Sequence, residues 1–361
     1  MNYGHGGDIW TAAESAGFSA EDILDFSANI NPLGPPPGLL GYLTEKITEI
    51  TRYPDPAARG FCSAVKKAYR LNGIVVPGNG AGELIYLLMH AVSPGPVLFP
   101  VPSFLLYEKA AAAAGCKIFS HMTYEDRQFR LDTTSFCDEI RQSRPKLVIL
   151  CNPNNPTGTL LGRDEILDIA RATRQAGGLV LVDEAFLEFC PDHAERTLLP
   201  FAGCDNIAVL CSLTKMFAIP GLRLGFLTGP APLVRRIHAL RDPWSVNSLA
   251  QRAGEYVLAD RNFAEATAGE VSRLAKLFAG ELAQMPQLYV YPPAANYIFI
   301  RSGALNADEL QSALLKKKFM IRNCGNYRGL DNRYFRLAVR SQVDNEKLLS
   351  AMRRIRGGRE K

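Results

Sequence analysis

Seven short apolar runs, separated by helical stretches, constrain this chain more than any other feature. They are "GIVVPG", "GPVLFP", "CKIFS", "KLVILCN", "GLVLVDEA", "NIAVLCS" and "RLGFLTG". Each is a continuous apolar run, not an alternation of apolar and polar residues, which is the pattern of strands buried on both faces. Stretches such as "GELIYLLMHAV" and "RDEILDIARATRQAG" lie between them and read as helices. Strand and helix in alternation predict an α/β fold with a mostly parallel seven-stranded sheet.

The pattern holds over residues 45–245, which read as one large domain. Residues 1–44 and 246–361 lie outside it and are expected to form a smaller α+β domain with an N-terminal segment that covers the site. A long helical stretch is expected over 247–284, followed by "LYVYPPAANYIFIR", a helix in "NADELQSALLKKK", and strands in "FMIRNCG" and "YFRLAVRS". The first 30 residues read as helical up to "FSANINPLGPPPG", where the prolines lack the donor that a helix or central strand needs.

At 361 residues the chain is too long for one small core. Its net charge of +5 is mild and dispersed, and the runs "KKK" and "RRIRGGREK" read as solvated faces, not as nucleic-acid sites. Eight cysteines occur with no CxxC pair, mostly in apolar settings. Together with the absence of a signal peptide or an 18-residue apolar run, this predicts a protein of the reducing cytoplasm, with no membrane or nucleic-acid partner and no metal.

Four clusters fall at predicted strand ends, the edge where open α/β sheets bind ligands. "GNGAGELI" is a glycine turn entering a helix, and free N–H groups at a helix N-terminus suit a phosphate; no Gly-Lys-Ser/Thr follows, so it is not a P-loop. "CNPNNPTG" is a polar loop directly after a buried strand. In "VLVDEAF", Asp183 ends a buried strand, where an ionised carboxylate calls for a cationic partner. In "CSLTKMFAIPGLRLGF", Lys215 follows a strand, and Arg223 lies eight residues on. A buried lysine can have a lowered pKa and serve as a Schiff-base amine. A phosphate cup, an amine, a buried aspartate and an asparagine are the parts that hold pyridoxal 5'-phosphate, with the aspartate keeping the pyridine nitrogen protonated.

The order of these motifs resembles the fold-type-I pyridoxal-phosphate enzymes, in particular the class that includes the histidinol-phosphate aminotransferases. The resemblance implies that Lys215 is the Schiff-base lysine and Asp183 the partner of the ring nitrogen. It places Asn155 near the ring hydroxyl, and Ala81, Gly82, Ser212 and Arg223 around the cofactor phosphate. Phe104 in "VPSFLLYE" matches the aromatic stacked on the ring. Tyr53 in "RYPDP" matches a tyrosine that reaches the phosphate of a second copy, which implies a homodimer with shared sites.

Where the aminotransferases usually read "DEAY", this chain has "DEAF", so Phe186 brings no hydroxyl to the ring. The segments "GHGGD", "DFSANINPLGPP", "DPWSVNSLA", "ANYIFIR" and "MIRNCGNYRGLDNRYFRLAVRS" are similar to the threonine-phosphate decarboxylases of cobalamin biosynthesis, over nearly the whole chain. That family implies decarboxylation of L-threonine O-3-phosphate to (R)-1-amino-2-propanol O-2-phosphate. His5, Asn29, Asn155, Arg322 and Arg336 are then expected to bind this small phosphorylated amino acid. The alternatives are an L-serine O-phosphate decarboxylase, a histidinol-phosphate aminotransferase and, from another class, a non-catalytic pyridoxal-binding regulator. Such regulators normally carry an added DNA-binding module, which a chain filled by the enzyme-like core leaves no room for.

Overall fold

A computed structural model describes residues 6–303 and 305–357. The seven apolar runs form one sheet: β1 Val75–Asn79, β2 Val97–Val101, β3 Ile118–Met122, β4 Leu147–Cys151, β5 Leu179–Asp183, β6 Ile207–Ser212 and β7 Leu224–Thr228. Their order is β1-β7-β6-β5-β4-β2-β3. β2 through β6 pair in parallel, while β7 runs antiparallel to both β6 and β1. Both faces are largely buried, as continuous apolar strands require, except at the edge strand β3, which is half-buried throughout and carries Ser120 and His121. Val148, Val180, Val182 and Val209 pack into one core with Phe61, Phe136 and Phe226, whereas Leu147, Ile149, Leu181 and Leu210 pack into another with Leu84, Met89 and Tyr107.

Register sets the site. Cys151 pairs with Asp183, and Asp183 with Leu210, so β4, β5 and β6 end at one edge. The loops that follow them open there together, beside the N-terminus of the helix Gly80–Val92 that follows β1.

A second sheet holds β8 Leu288–Val290, β9 Tyr297–Ser302, β10 Arg322–Asn323 and β11 Tyr334–Ala338, antiparallel in the order β10-β11-β9-β8. Helices Asn262–Ala283, Ala307–Leu315 and Gln342–Gly357 back it through Phe278, Leu314, Phe335 and Leu348. The N-terminal segment joins this unit: Leu24–Asp25 pairs in parallel with Phe319–Met320, and Phe26 enters the same core. Two polar clasps hold the small sheet over the large one. Tyr334 and Tyr291 donate to Glu125 at 2.8 and 3.2 Å, and Arg328 reaches Glu108 and Ser120 at 2.5 and 3.1 Å.

Two expectations about helices are corrected. The stretch 247–284 is two helices, Ser248–Ala259 and Asn262–Ala283. Asp260 adopts extended backbone, and its carboxylate accepts the Asn262 N–H at 2.9 Å, a local turn that competes with helix. Among the described residues of the first 30, one α-helix forms, Ile9–Ala16, capped by Asp8 at Thr11 N–H and ended by Gly17 in the left-handed region.

Candidate functional site

A cavity of about 230 Å³ opens where the loops after β4, β5 and β6 meet the small sheet. Asn29, Ala81, Gly82, Phe104, Asn155, Asp183, Phe186, Ser212, Lys215, Arg223, Arg322 and Arg336 all line it. Tyr53 does not: it is 81% exposed and packs its ring on Trp244, with centroids 4.8 Å apart. His5 lies outside the described residues, but its neighbour Gly6 lines the cavity. Gly6 approaches Ser27 so closely that a Cβ would sit 2.2 Å from the Ser27 carbonyl oxygen.

On the large-sheet side, the first turn of helix Gly80–Val92 presents Ala81 and Gly82, whose backbone N–H groups have no partner inside the helix. Gly80 has φ +75°, and a Cβ there would lie 2.4 Å from Arg223 Nη2, so glycine is what allows the guanidinium to sit against the turn. Among the described residues no carboxylate pairs with Arg223, whose one hydrogen bond is to the Pro220 carbonyl at 3.4 Å. Ser212 shares a 2.8 Å hydrogen bond with Thr214. Donors, a hydroxyl and an unneutralised guanidinium around a helix N-terminus make an anion cradle.

Lys215 sits in the short helix Leu213–Met216 directly after β6. Loss of hydration pushes its ammonium pKa down to about 8, aided by the cations Arg223 and Arg336. At pH 7 about one-tenth of the amine is therefore neutral and nucleophilic, far more than for an exposed lysine. The N-terminal segment is stitched to this helix: Asn31 N–H donates to the Lys215 carbonyl at 3.1 Å, and Asn31 Nδ2 to the Met216 carbonyl at 2.8 Å.

Asp183 lacks the cationic partner expected for it. Its carboxylate accepts the Tyr107 hydroxyl at 2.6 Å and the Ala185 N–H at 3.0 Å, and no lysine or arginine pairs with it among the described residues. Burial raises its pKa, and these two donors pull it down. The next residue, Glu184, faces away, accepting from Thr197 and Leu198 at 2.6 Å each, and burial pushes it up to about 7. Strand alternation thus sends one carboxylate of "DE" into the cavity and the other behind it.

The three asparagines of "CNPNNPTG" divide the work. Asn152 ties the loop to Leu161, and Asn154 bonds Pro102, Ser103 and Thr157. Asn155 alone turns to the cavity, where its Oδ1 accepts from Arg336 Nη1. Phe186 packs edge-on against Tyr297, ring centroids 5.2 Å apart.

The small sheet supplies two arginines directly opposite each other, Arg322 on β10 and Arg336 on β11, both buried. Arg336 Nη2 donates to the Ser27 carbonyl at 2.6 Å and lies over the Tyr297 ring; Arg322 bonds Asn326 at 2.9 Å and lies over Tyr327. Like charges facing each other across a strand pair are unfavourable by themselves, so the arrangement suits an anion of more than one charge. Asn29 points the same way. It is 3% exposed, and neither its Oδ1 nor its Nδ2 has a partner among the described residues. Each such buried group costs about 1–3 kcal/mol until something satisfies it. Among the described lining residues, four cations face one carboxylate.

Sequence reasoning missed Tyr107 and Tyr327. The signal for Tyr107 is its i+3 spacing from Phe104 at the start of helix Leu106–Ala113, which puts both rings on one face, edge to face at 5.6 Å.

The fold and this site define a class: residues 21–355 match the family model of the class I and II aminotransferases, and the chain belongs to that family. Within it, the chain is 37% identical to the threonine-phosphate decarboxylase of Salmonella typhimurium, covering 99% of this chain and 98% of that one. It is 33% identical to an adenosylcobalamin biosynthesis bifunctional protein, CobDQ, of Leptospira interrogans, over 97% of this chain and 41% of that one. Among solved structures it resembles the histidinol-phosphate aminotransferase of Clostridium acetobutylicum with a TM-score of 0.86 and 30% identity, over 93% of this chain and 100% of that one.

Proposed function

We propose that the chain is a pyridoxal-phosphate-dependent decarboxylase of L-threonine O-3-phosphate, yielding (R)-1-amino-2-propanol O-2-phosphate for cobalamin biosynthesis. The observation that carries the reading is the buried pair Arg322–Arg336 beside the unsatisfied Asn29, a second anion site in a cavity that already has a phosphate cradle. The full-length similarity to a threonine-phosphate decarboxylase supports the same substrate.

The residues present fit the cofactor. Ala81, Gly82, Ser212 and Arg223 would hold its phosphate, Phe104 would stack on its ring, and Asn155 would approach the ring hydroxyl. Asp183, a buried carboxylate without a protein cation, would take the protonated ring nitrogen as its missing partner. Pyridoxal phosphate supplies an electron sink for the pair released when a bond to Cα breaks.

The chain decides which bond that is. Arg322, Arg336 and Asn29 would hold the substrate phosphate, and anchoring there would leave the carboxylate unheld, as the group to be lost. An aminotransferase anchors the carboxylate instead and sets the Cα–H bond upright. Remote binding energy thus selects the reacting bond. Lys215, which lines the same cavity, would return a proton to Cα after the loss of carbon dioxide. Phe186, without a hydroxyl, leaves Asn155 as the side-chain partner of the ring oxygen.

The test is one incubation series with added cofactor. Carbon dioxide should form from phosphothreonine, and glutamate should not form from histidinol phosphate plus 2-oxoglutarate. The aminotransferase reading, favoured by the 0.86 TM-score, predicts the reverse. Phosphoserine is the third arm, since one methyl group is worth only about 1–3 kcal/mol in a pocket.

A homodimer belongs to the same proposal. Tyr53 is held on Trp244, and Ile47 and Ile50, close before it in the chain, are exposed, apolar groups that a second copy would cover. In a dimer Tyr53 would reach the partner's cofactor phosphate. Tyr53→Phe should weaken cofactor affinity about tenfold, the worth of one hydrogen bond to a charged group, without changing the sedimentation coefficient. A monomeric wild-type protein with full activity would sink this part.

A further inference from the structure

Both oxygens of the Asp183 carboxylate are taken up from behind. Oδ1 accepts the Ala185 N–H at 3.0 Å and Oδ2 the Tyr107 hydroxyl at 2.6 Å, the length of a charge-assisted O–H···O⁻ bond. Tyr107 has no exposed surface, and its ring is wedged between Phe99 and Phe104, at 6.1 and 5.6 Å between centroids. The other titratable groups near the carboxylate are Cys151 on β4, Cys211 on β6 and Glu184 next in the chain. Burial raises both thiols, so they stay neutral, and Glu184 is turned towards Thr197. Tyr107 is therefore the one side chain among the described residues that donates a hydrogen bond to Asp183.

We propose that Tyr107 is a positioning residue for the cofactor: its hydroxyl fixes the Asp183 carboxylate in place and keeps it ionised to receive the protonated ring nitrogen. The proposal rests on the pyridoxal-phosphate reading and deepens it. Helix Leu106–Ala113 and the residues just before it then deliver two parts at once, the Phe104 ring to the cofactor's face and the Tyr107 hydroxyl to the carboxylate behind it.

Proton linkage gives the role a signature that packing alone lacks. Without the Tyr107 hydroxyl, the empty site holds Asp183 protonated up to a higher pH. Cofactor binding must then ionise a carboxyl group that has lost its donor, so affinity falls. Above the pKa of that carboxyl, both proteins start from the carboxylate, and the difference disappears. The free cofactor's own titrations are common to both and cancel in the ratio.

The test is equilibrium dialysis of the full-length chain against pyridoxal phosphate at several pH values, for wild type and Tyr107→Phe. The variant should bind about 10- to 100-fold more weakly at acid pH, the worth of one hydrogen bond to a charged group, and this ratio should shrink towards one as pH rises. In an Asp183→Asn background the same substitution should change affinity less than about twofold. A ratio independent of pH, or equal loss in both backgrounds, makes Tyr107 a packing residue and overturns the proposal. If Tyr107→Phe does not fold, 3-fluorotyrosine at position 107 keeps the shape and strengthens the donor. It should tighten binding at acid pH, and an unchanged or weaker affinity overturns the proposal equally. A wild-type chain that binds no pyridoxal phosphate removes the parent reading instead, which distinguishes the two failures.

Discussion

Lys215→Ala is expected to lower turnover of phosphothreonine by roughly 10⁴-fold or more, since on the proposed reading it removes a covalent amine and a proton donor together. The wild-type amine is prepared for both tasks. Its pKa of about 8 comes first from loss of hydration and then from Arg223 and Arg336. Neutral, it can react with an aldehyde; freed and protonated, it can return a proton to Cα. Alanine keeps the short helix Leu213–Met216 and leaves the Asn31 contacts in place, because these use the Lys215 and Met216 carbonyls. The variant should therefore fold and still bind cofactor non-covalently. Borohydride treatment followed by peptide mass analysis should give a modified Lys215 peptide in wild type and none in the variant. When cofactor is mixed with the cofactor-free chain and aliquots are quenched with borohydride, the initial rate of trapping should be half-maximal near pH 8 and level off about one unit higher, because only the neutral amine attacks the aldehyde. Turnover within tenfold of wild type would reject the role of Lys215.

The large sheet was legible because burial on both faces leaves a direct trace. Val180 and Val182 serve one core and Leu181 the other, so the run has no polar residue to spare. Lys215 and Asp183 were legible for a related reason, as charged residues at the ends of such runs stand out. Asn155 was not separable from Asn152 and Asn154 by chemistry. Any of the three could fold the loop, and only the resemblance singled it out. The Tyr107–Asp183 bond joins residues 76 apart through sheet register, which residue types do not encode. The expected cation at Asp183 followed from a sound rule about buried charge, but among the described residues a hydroxyl and an N–H take its place. Strands were expected in "FMIRNCG" and "YFRLAVRS", which carry Arg322 and Arg336, but the register that sets the two opposite each other runs through a two-residue strand and leaves no trace in residue types. The break at Asp260 was hidden because helix formers flank it on both sides.

Arg336→Met is the second large effect, an expected loss of about 10³-fold in kcat/KM for phosphothreonine. An anchoring bond to a charged group is worth about 1.5–3 kcal/mol, and on the proposed reading Arg336 would hold more than the substrate. Its Nη1 orients Asn155, and its Nη2 ties down Ser27, two residues before Asn29. Methionine matches the length but releases all three. Arg322→Met should cost less, about 10²-fold and mainly in KM, because Arg322 bonds Asn326 and not the loop that carries Asn155. Lysine at 336 should not restore activity, since one ammonium cannot replace a planar fork that reaches two acceptors. The cradle of Ala81, Gly82, Ser212 and Arg223 is untouched, so cofactor affinity should change by less than about tenfold. Arg336 also helps hold the Lys215 pKa down. Its removal should therefore move the midpoint of borohydride trapping to higher pH, while Arg322→Met, which is not among the causes of that shift, should leave it in place. A KM unchanged in both variants would remove these arginines from the substrate site. A trapping midpoint that moves with Arg336 alone would show that the residue steering the substrate also sets the charge of the amine that receives it.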